Sequence, residues 1–278
     1  MKDQKFSVAM SVYRNDNPHH FARALQSITE DQTVKPDEIV LVVDGPVGEN
    51  LNNVIEDYST KYDVFKVIRL EKNGGLGNAL RIAVENCEHE LIARMDSDDV
   101  SIPTRFEEQV NFMGENDVDI VGGHISEFIG DECNIVSRRD VNISHEEIKA
   151  DMKKRCAFNH MTVMFKKSAV QSVGGYLSWH YNEDYYLWIR MYLAGYKFAN
   201  VDEVLVNVRV GEDMYQRRGG WKYFKSEAKL QGFMLKHKVI GLLTYCINVS
   251  KRLIVQVLLP NRLRGWVFRK FARKSVDQ

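Results

Sequence analysis

Short apolar runs alternate with amphipathic stretches through residues 6–95, and this alternation constrains the fold more than any other feature of the chain. The runs at 6–13, 38–43, 65–70 and 91–95 predict buried strands. The stretches between them carry apolar residues at helical spacing and predict helices at 19–30, 51–62 and 75–86. Strands that alternate with helices form βαβ units, so the sequence predicts an α/β fold whose mainly parallel sheet is flanked by helices.

The second half of the chain is less regular. Residues 161–166 and 204–210 predict strands, and residues 184–193 predict a helix. The 278 residues contain no internal repeat and no Pro/Gly-rich linker. We therefore expect one α/β domain at 1–220, followed by a helical extension at 221–278.

Charge is distributed unevenly along the chain. Lys plus Arg and Asp plus Glu both number 38, so the net charge gives no indication of a nucleic-acid partner. From Met214 onward, however, 15 Lys and Arg residues are accompanied by only two acidic residues, Glu227 and Asp277. An acidic body with a basic tail fits a protein whose tail faces an anionic partner.

The extension contains a long apolar stretch at 239–259 that Lys251 and Arg252 interrupt. Two adjacent cations are costly at the centre of a bilayer, so the stretch predicts an amphipathic helix on the protein or on a membrane surface. The segment 261–274 mixes aromatic residues with Arg and Lys, a composition that suits anionic lipid headgroups. A helical hairpin that packs on the domain with a solvated basic face is the alternative.

The N-terminus and the cysteines predict a cytoplasmic protein. The first residues, MKDQK and a short apolar run, lack a small-residue cleavage site and do not resemble a signal peptide. Cys87, Cys133, Cys156 and Cys246 show no C-x-x-C spacing, so we expect reduced thiols.

A dense carboxylate cluster, Asp96-Ser97-Asp98-Asp99, follows the predicted strand at 91–95. Its carboxylates repel one another unless a cation lies among them. Mg²⁺ or Mn²⁺ is the expected cation, and substrate phosphate oxygens commonly complete its coordination shell. The alternative role for such a triplet is to cap a helix.

Other polar residues also follow predicted strands. Asn15 and Asp16 follow the first strand, and Asp44 follows the second. Ligands of open α/β sheets bind beyond the carboxyl ends of the strands, so these side chains and Asp96 are expected to line one crevice. The glycine-rich segment 73–78 opens a helix, where backbone can approach an anionic ligand.

Several segments together resemble family 2 of the inverting glycosyltransferases, which have the GT-A fold. They are SVAMSVYRND, EIVLVVDG, KNGGLGNAL, LIARMDSDDVSIPTRFEEQV, NHMTVMFKKSAVQSVGGY and NEDYYLWIRM, in the order that the family shows. The most similar group is the bacterial enzymes that build O-antigen, capsule and exopolysaccharide repeat units. The resemblance implies that 1–220 is a GT-A catalytic domain, with a donor-binding half at about 1–100 and an acceptor half at about 101–220.

The resemblance implies a UDP-sugar donor and assigns residues to its nucleoside. Tyr13 is expected to pack on the base, and Asp44 is expected to accept a hydrogen bond from the uracil imide. An ordinary Asp-Gly turn is the alternative for Asp44. Leu76 and Asn78 are expected beside the ribose and the base.

The aspartate cluster is expected to hold the donor's diphosphate through Mn²⁺ or Mg²⁺. In the family's pattern Asp96 reaches the ribose or the metal, and Asp98 binds the metal. Ser97 belongs to the same donor site, and Asp99 is expected to orient the loop.

Three further residues match positions that the family places near the diphosphate. His160 is expected near the diphosphate or the acceptor, and a structural role is its alternative. Arg217 and Arg218 lie in a Gly-rich segment similar to the mobile loop that closes on the donor in related enzymes. Their guanidinium groups are expected to pair with the leaving diphosphate.

The pair Glu183-Asp184 matches the E-D motif from which the family takes its catalytic base. Inversion needs one carboxylate to deprotonate the acceptor hydroxyl, and we assign this role to Asp184, with Glu183 as the substitute. An acidic first helical turn that complements the helix dipole is the alternative. Trp188, one turn further, is expected to present its ring to the acceptor sugar, with core packing as the alternative.

The function implied is transfer of a hexose, galactose or glucose, from a UDP-sugar to a polyprenyl-diphosphate-linked sugar, forming a β linkage in surface polysaccharide biosynthesis. Lipopolysaccharide core or a soluble saccharide is the alternative acceptor. A non-catalytic sugar-nucleotide-binding or scaffold protein is the alternative of another class. With the basic tail on an anionic membrane surface, we expect the enzyme at the inner face of the cell membrane.

Overall fold

The computed structural model describes residues 4–211 and 219–260, and within these ranges the strands form one mixed sheet. The strands are β1 (Phe6–Val12), β2 (Glu38–Val43), β3 (Phe65–Arg69), β4 (Leu91–Met95), β5 (Val100–Ser101), β6 (Ile120–Phe128), β7 (Ile135–Arg139), β8 (Met164–Lys166) and β9 (Phe198–Arg209). The helices are α1 (Pro18–Thr29), α2 (Glu49–Lys61), α3 (Leu76–Asn86), α4 (Arg105–Glu115), α5 (His145–Met152), α6 (Lys167–Ser172), α7 (Glu183–Leu193), α8 (Trp221–Lys236) and α9 (Leu242–Leu253). A 3₁₀ turn spans His160–Thr162, and a π-helical turn, Ile254–Leu258, extends α9.

The sheet has the strand order β3-β2-β1-β4-β8-β6-β9-β5, with β7 paired to β6. The first four strands are parallel to one another, as the βαβ pattern predicts. The second half adds antiparallel pairs of β8 with both β4 and β6, and β9 pairs with β6 in parallel. The predicted α/β fold is confirmed, and the parallel half brings the carboxyl ends of β1, β2 and β4 to one edge.

Helices cover both faces of the sheet because successive strand residues point to opposite faces. On β1, Val8 and Met10 pack beneath α1, α2 and α4, whereas Ala9 faces α3 and α7 on the other side. All six residues of β2 are buried, which accounts for its continuous apolar sequence.

The first helix of the C-terminal extension is part of the core. Leu230 and Met234 of α8 are fully buried and belong to the same hydrophobic cluster as α3 and α7. Helix α9 packs against α8. Among residues 4–211 and 219–260, no helix is long and apolar enough to cross a membrane.

Candidate active site

The aspartate cluster begins directly after β4, where a buried arginine holds its first member. Arg94 is 2 % exposed, and both terminal nitrogens of its guanidinium donate hydrogen bonds to the two carboxylate oxygens of Asp96. Residues two apart on a strand share a face, so the sequence spacing brings this pair together. The sequence analysis missed Arg94, although its place two residues before Asp96 was a usable signal.

Asp16, which the strand pattern places in the same crevice, connects the loops that follow β1 and β4. Oδ2 of Asp16 accepts hydrogen bonds from the Ser97 hydroxyl, at 2.8 Å, and from the backbone N–H of Tyr13, at 3.1 Å. Burial raises the pKa of Asp16, and the charge of Asp96 adds to the effect. Asp16 therefore extends the carboxylate cluster to the end of the first strand, as the expected convergence of strand ends requires.

The electrostatics of the cluster favour a bound cation. Partial loss of water around the carboxyl group, followed by the charges of Asp96 and Asp16, raises the pKa of Asp98 to about 6. The fully buried Asp99 has its pKa raised well above the usual range by burial and by Asp98. Asp96 and Asp98 are hard oxygen donors that fit Mn²⁺ or Mg²⁺ if substrate oxygens complete the shell. In the described part of the chain, no three His, Cys, Asp or Glu side chains are placed to hold a metal ion by themselves.

The last residue of β9 braces the cluster from the opposite side. The Arg209 backbone N–H donates to Oδ1 of Asp99, at 2.9 Å, and its Nε donates to the Asp98 carbonyl, at 3.2 Å. A cleft of about 510 Å³ opens beside these groups. It is lined by His20, Asp96, Asp98, Asp99, Gly130, Met161, Val208, Arg209, Val210 and Gly211.

Asp44 fixes the glycine-rich segment before α3. Its two carboxylate oxygens accept hydrogen bonds from the backbone N–H groups of Gly74, at 2.7 Å, and Gly75, at 2.9 Å. Gly45 has φ +86°, and a Cβ there would lie 2.6 Å from the Asn73 backbone nitrogen, so only glycine fits. The Asp-Gly turn therefore joins the end of β2 to the start of α3, and the uracil contact of Asp44 stays a prediction.

The other residues assigned to the nucleoside lie around this junction. Tyr13 is 37 % exposed just beyond β1, where its ring is available to a ligand. Leu76 is partly buried against the core, and Oδ1 of Asn78 accepts a hydrogen bond from Arg81. A smaller cleft of about 260 Å³ adjoins Asn78 and Gly74.

The proposed catalytic carboxylates open helix α7 and lie against the start of α3. A Cβ added to Gly77 would be 3.4 Å from the Cβ of Glu183, so the E-D pair contacts the glycine-rich segment. Burial raises the pKa of Glu183 to about 7, with a further contribution from Asp184. Burial also raises the pKa of Asp184, whose Oδ2 lies 3.6 Å from the thiol of Cys156. A carboxylate with a raised pKa in a cleft is suited to accept a proton near neutral pH.

His160 and Trp188 pack together behind the site. The His160 imidazole lies 2.8 Å from the Tyr176 hydroxyl, and burial together with the Arg94 charge lowers its pKa well below the usual value. Trp188 is 0 % exposed and packs on Phe158 and His160 in the core. The prediction that Trp188 faces an acceptor sugar is therefore wrong, because apolar packing encloses the ring. Arg217 and Arg218 lie outside the described residues.

Two sequence profiles match the chain. The profile of Glycosyl transferase family 2 matches residues 7–174, and that of Glycosyl transferase family group 2 matches residues 91–266. The first match contains the aspartate cluster, and the second contains both that cluster and the E-D pair.

Relatives match over nearly their whole length. An uncharacterized glycosyltransferase of Haemophilus influenzae is 40 % identical over 97 % of this chain and 100 % of its own. The Escherichia coli UDP-Gal:alpha-D-GlcNAc-diphosphoundecaprenol beta-1,3-galactosyltransferase is 39 % identical over 97 % of both chains. The amylovoran biosynthesis glycosyltransferase AmsE of Erwinia amylovora is 37 % identical over 95 % of this chain and 98 % of its own.

Solved structures show the same fold at low sequence identity. S. aureus TarS 1-349 in complex with UDP-GlcNAc superimposes with a TM-score of 0.66 at 17 % identity, over 96 % of this chain and 76 % of TarS 1-349. The mannosyltransferase PcManGT of Pyrobaculum calidifontis, in complex with GDP-Man and Mn²⁺, gives 0.61 at 13 % identity, over 94 % of this chain and 71 % of its own. With its matching profile, its relatives and its GT-A fold, the chain belongs to glycosyl transferase family 2 and is a glycosyltransferase.

Proposed function

We propose that this protein transfers a hexose from a UDP-sugar to a polyprenyl-diphosphate-linked sugar, with inversion and formation of a β linkage, in the synthesis of a surface polysaccharide such as O-antigen or capsule. Galactose is favoured as the hexose, ahead of glucose, because the E. coli relative is named for UDP-Gal. The same name supports a lipid-diphosphate-linked acceptor. Acceptors in lipopolysaccharide core or soluble saccharides are outcomes that the experiment below distinguishes.

The observation that carries the proposal is the buried guanidinium of Arg94, whose charge acts on both the aspartate cluster and the E-D pair. Arg94 pairs with Asp96, the first member of the aspartate cluster. Burial raises the pKa of Glu183 and of Asp184, and the positive charge of Arg94 partly offsets that rise at both residues. We infer from this shared influence that the E-D pair and the aspartate cluster act on the two sides of one reacting sugar.

In this proposal each group has a separate task. Asp184 accepts the proton of the acceptor hydroxyl as its oxygen attacks the anomeric carbon, and Glu183 is the substitute for that role. Asp96 and Asp98 would hold Mn²⁺ or Mg²⁺, which neutralises charge on the leaving diphosphate when bound. Tyr13, with Asp44 and the glycine-rich segment behind it, orients the uridine.

Residues 221–278 are proposed as a membrane-associating extension of the catalytic domain at 1–220. The basic, aromatic composition of 261–274 suits anionic headgroups, and a lipid-borne acceptor would be presented at such a surface. This segment lies outside the described residues. We propose peripheral attachment at the inner face of the cell membrane.

The test is a panel of UDP-sugars incubated with Mn²⁺ and lipid-diphosphate GlcNAc or GalNAc, with the product linkage read by NMR. Transfer of one hexose in a β linkage, abolished by Asp98→Ala, is expected. Retention of the donor's α configuration, or full turnover in EDTA, would overturn the proposed mechanism. Transfer to lipopolysaccharide core or to a free saccharide alone would reassign the acceptor.

A further inference from the structure

Helix α9 and the turn that follows it are amphipathic, but their polar side is buried and their apolar side is exposed. Their polar side chains face the protein: Asn248 and Gln256 are 6 % and 5 % exposed, and Arg252 is largely buried between them. These three residues recur every four positions, so they form one stripe along the helix. A surface helix of a water-soluble domain normally turns its apolar stripe inward.

The polar stripe anchors the helix to the domain. The Asn248 side-chain amide donates to the Lys153 carbonyl, at 2.9 Å, and to the Gln231 side chain, at 2.8 Å. Arg252 forms an ion pair with Glu227 of α8 and donates to the Lys154 carbonyl. The orientation of α9 is therefore fixed by polar contacts at two positions, one turn apart.

The opposite side of α9 leaves large apolar side chains in solvent. Leu243, Ile247, Ile254 and Leu258 are all exposed, with Leu243 at 76 %. Their spacing of four, seven and four residues places them on one stripe. We define these four residues as the apolar stripe. Contiguous exposed apolar surface of this kind marks an interaction site.

The charges on and beside α9 indicate the partner. Residues 241–260 contain no acidic side chain, and Lys251 is exposed on α9 itself. Lys153 and Lys154, just after α5, are also exposed, and their carbonyls accept the hydrogen bonds from Asn248 and Arg252. An exposed apolar stripe on a segment that carries cations and no acidic residue is the pattern of a helix that lies in the interface of an anionic bilayer.

The turn that follows α9 also contacts the start of α8. The backbone N–H of Gly220 donates to the Gln256 carbonyl, at 2.8 Å. Tyr223 in the first turn of α8 lies near Tyr181, with ring centroids 6.1 Å apart, and Tyr181 precedes Glu183 by two residues. The segment that carries the apolar stripe is therefore linked through α8 to the residues that precede the E-D pair.

We propose that the apolar stripe of α9 is a docking surface for an anionic lipid bilayer, with Leu243, Ile247, Ile254 and Leu258 inserted among the headgroups and acyl chains. This inference deepens the membrane attachment proposed above and rests on it. It assigns the apolar part of the membrane contact to α9 and the turn that follows it, and not to the basic segment 261–274.

The test is flotation of the full chain with vesicles of phosphatidylglycerol and phosphatidylcholine. Leu243→Asp/Ile247→Asp is expected to reduce vesicle binding on the order of tenfold or more, because two apolar anchors are lost and negative charge is added. The matched control, Val136→Asp/Leu193→Asp, changes two equally apolar exposed residues on β7 and α7 and should bind as wild type. Equal binding of both variants would overturn the inference. The inference would also be overturned if the wild type were a dimer that bound no vesicles and Leu243→Asp/Ile247→Asp were a monomer.

A second measurement leaves the apolar stripe intact. Cys246 is exposed on α9, and Cys133 is the other exposed cysteine. In a Cys133→Ser background, a polarity-sensitive dye on Cys246 should shift to shorter wavelength when anionic vesicles are added. An unshifted spectrum with vesicle-bound protein would place the contact elsewhere and contradict the inference.

An activity comparison separates this inference from the proposed function. With a short-chain, water-soluble diphosphate-linked acceptor, Leu243→Asp/Ile247→Asp should turn over as wild type, whereas with a bilayer-embedded acceptor it should be slower. Vesicle binding that depends on the stripe, without any sugar transfer, would support the docking surface and count against the proposed function. If Leu243→Asp/Ile247→Asp bound vesicles normally and transferred sugar to both acceptors, the result would support the proposed function and count against the docking surface.

Discussion

At the residue scale, the site is a set of carboxyl groups whose ionised forms the protein environment disfavours. Asp16, Asp98, Glu183 and Asp184 all have raised pKa values, with burial as the largest cause. A fold that keeps several such groups gives up stability, and carboxylates with raised pKa values are common at functional sites. In the proposed mechanism, a cation neutralises the aspartate cluster and a proton taken from substrate neutralises the E-D pair.

Asp98→Asn should stabilise the metal-free protein and inactivate it. The folded-state pKa of Asp98, about 6, lies above its ordinary value of 3.8. Ionised Asp98 therefore costs stability, and the cost is absent below the ordinary pKa and grows as the pH rises through the folded value. We expect a gain of roughly 1 kcal/mol in the free energy of unfolding at about pH 7.5, after allowance for solvent screening, that disappears near about pH 4.

Calorimetric unfolding in EDTA at both pH values measures this gain, and Asp57→Asn, at an exposed carboxylate of α2, is the control and should leave the stability nearly unchanged. Mn²⁺ should stabilise the wild type and leave Asp98→Asn unchanged. A less stable Asp98→Asn protein in EDTA would show that Asp98 is not repelled by its neighbours.

Substitution of the two carboxylates of the E-D pair should have different effects on kcat. Asp184→Asn is expected to lower kcat on the order of 10²–10⁴-fold, because the proton acceptor is lost. Glu183→Gln should keep measurable turnover. In the wild type, kcat should rise with pH above the ordinary carboxyl range, since burial raises the pKa of the base and only its ionised form accepts a proton. If Glu183→Gln were inactive and Asp184→Asn active, Glu183 would be the base.

We predict that Tyr181, and not the buried Trp188, contacts the acceptor sugar. It is 56 % exposed, adopts a φ of 55° that is unusual for a bulky residue, and precedes Glu183 by two residues. Tyr181→Ala should raise the acceptor KM several-fold, on the order of the 1 kcal/mol that one ring contact contributes, and leave the donor KM unchanged. Steady-state kinetics with each substrate varied in turn decides this, and an unchanged acceptor KM would exclude the contact.

At the scale of elements, we predict that the junction of β2 with α3 contributes to nucleotide binding. Gly45→Ala would force a Cβ to within 2.6 Å of the Asn73 nitrogen at a φ that disfavours alanine. The glycine-rich segment should shift, and the donor KM should rise at least several-fold while the acceptor KM changes little. Gly48→Ala, where a Cβ meets nothing, is the matched control. Equal donor KM values for both variants would contradict this role.

The elements also show what sequence can and cannot predict. The bounds of β2 and β4 match the prediction because each is a short, mainly apolar run followed by aspartate. The strand expected at 161–166 is shortened to Met164–Lys166, since His160–Thr162 forms a 3₁₀ turn that apolar spacing does not reveal. The antiparallel pairings of β8 depend on long-range contacts without a local signature.

The same limit applies to the site. Asp96, Asp98, Glu183 and Asp184 were predicted from local motifs and the family resemblance, and their roles stay predictions. The contact of Arg209 with Asp99 joins residues 110 positions apart, so no local motif predicts it. The prediction for Trp188 was wrong because helical spacing shows which residues share a helix face but does not show which face packs against the rest of the protein. On α9 the covered face is the polar one, against the usual rule, and only the structure shows this.

At the scale of the whole molecule, the ends of β1, β2 and β4 meet at one sheet edge, and α7 adds the E-D pair from the second half of the chain. Helix α8 then joins the core, and α9 carries the exposed apolar stripe. In the proposed mechanism, carboxylates at the ends of β1 and β4 bind the diphosphate through the dication, and the first turn of α7 accepts the proton. The central claim is that these two tasks are separate and that the first depends on a dication.

Titration calorimetry of UDP binding tests this claim most directly. Wild type and Asp184→Asn are expected to bind UDP with similar affinity in Mn²⁺ and far more weakly in EDTA, whereas Asp98→Asn should bind weakly in both. Binding of UDP by the wild type with equal affinity in Mn²⁺ and in EDTA would contradict the account.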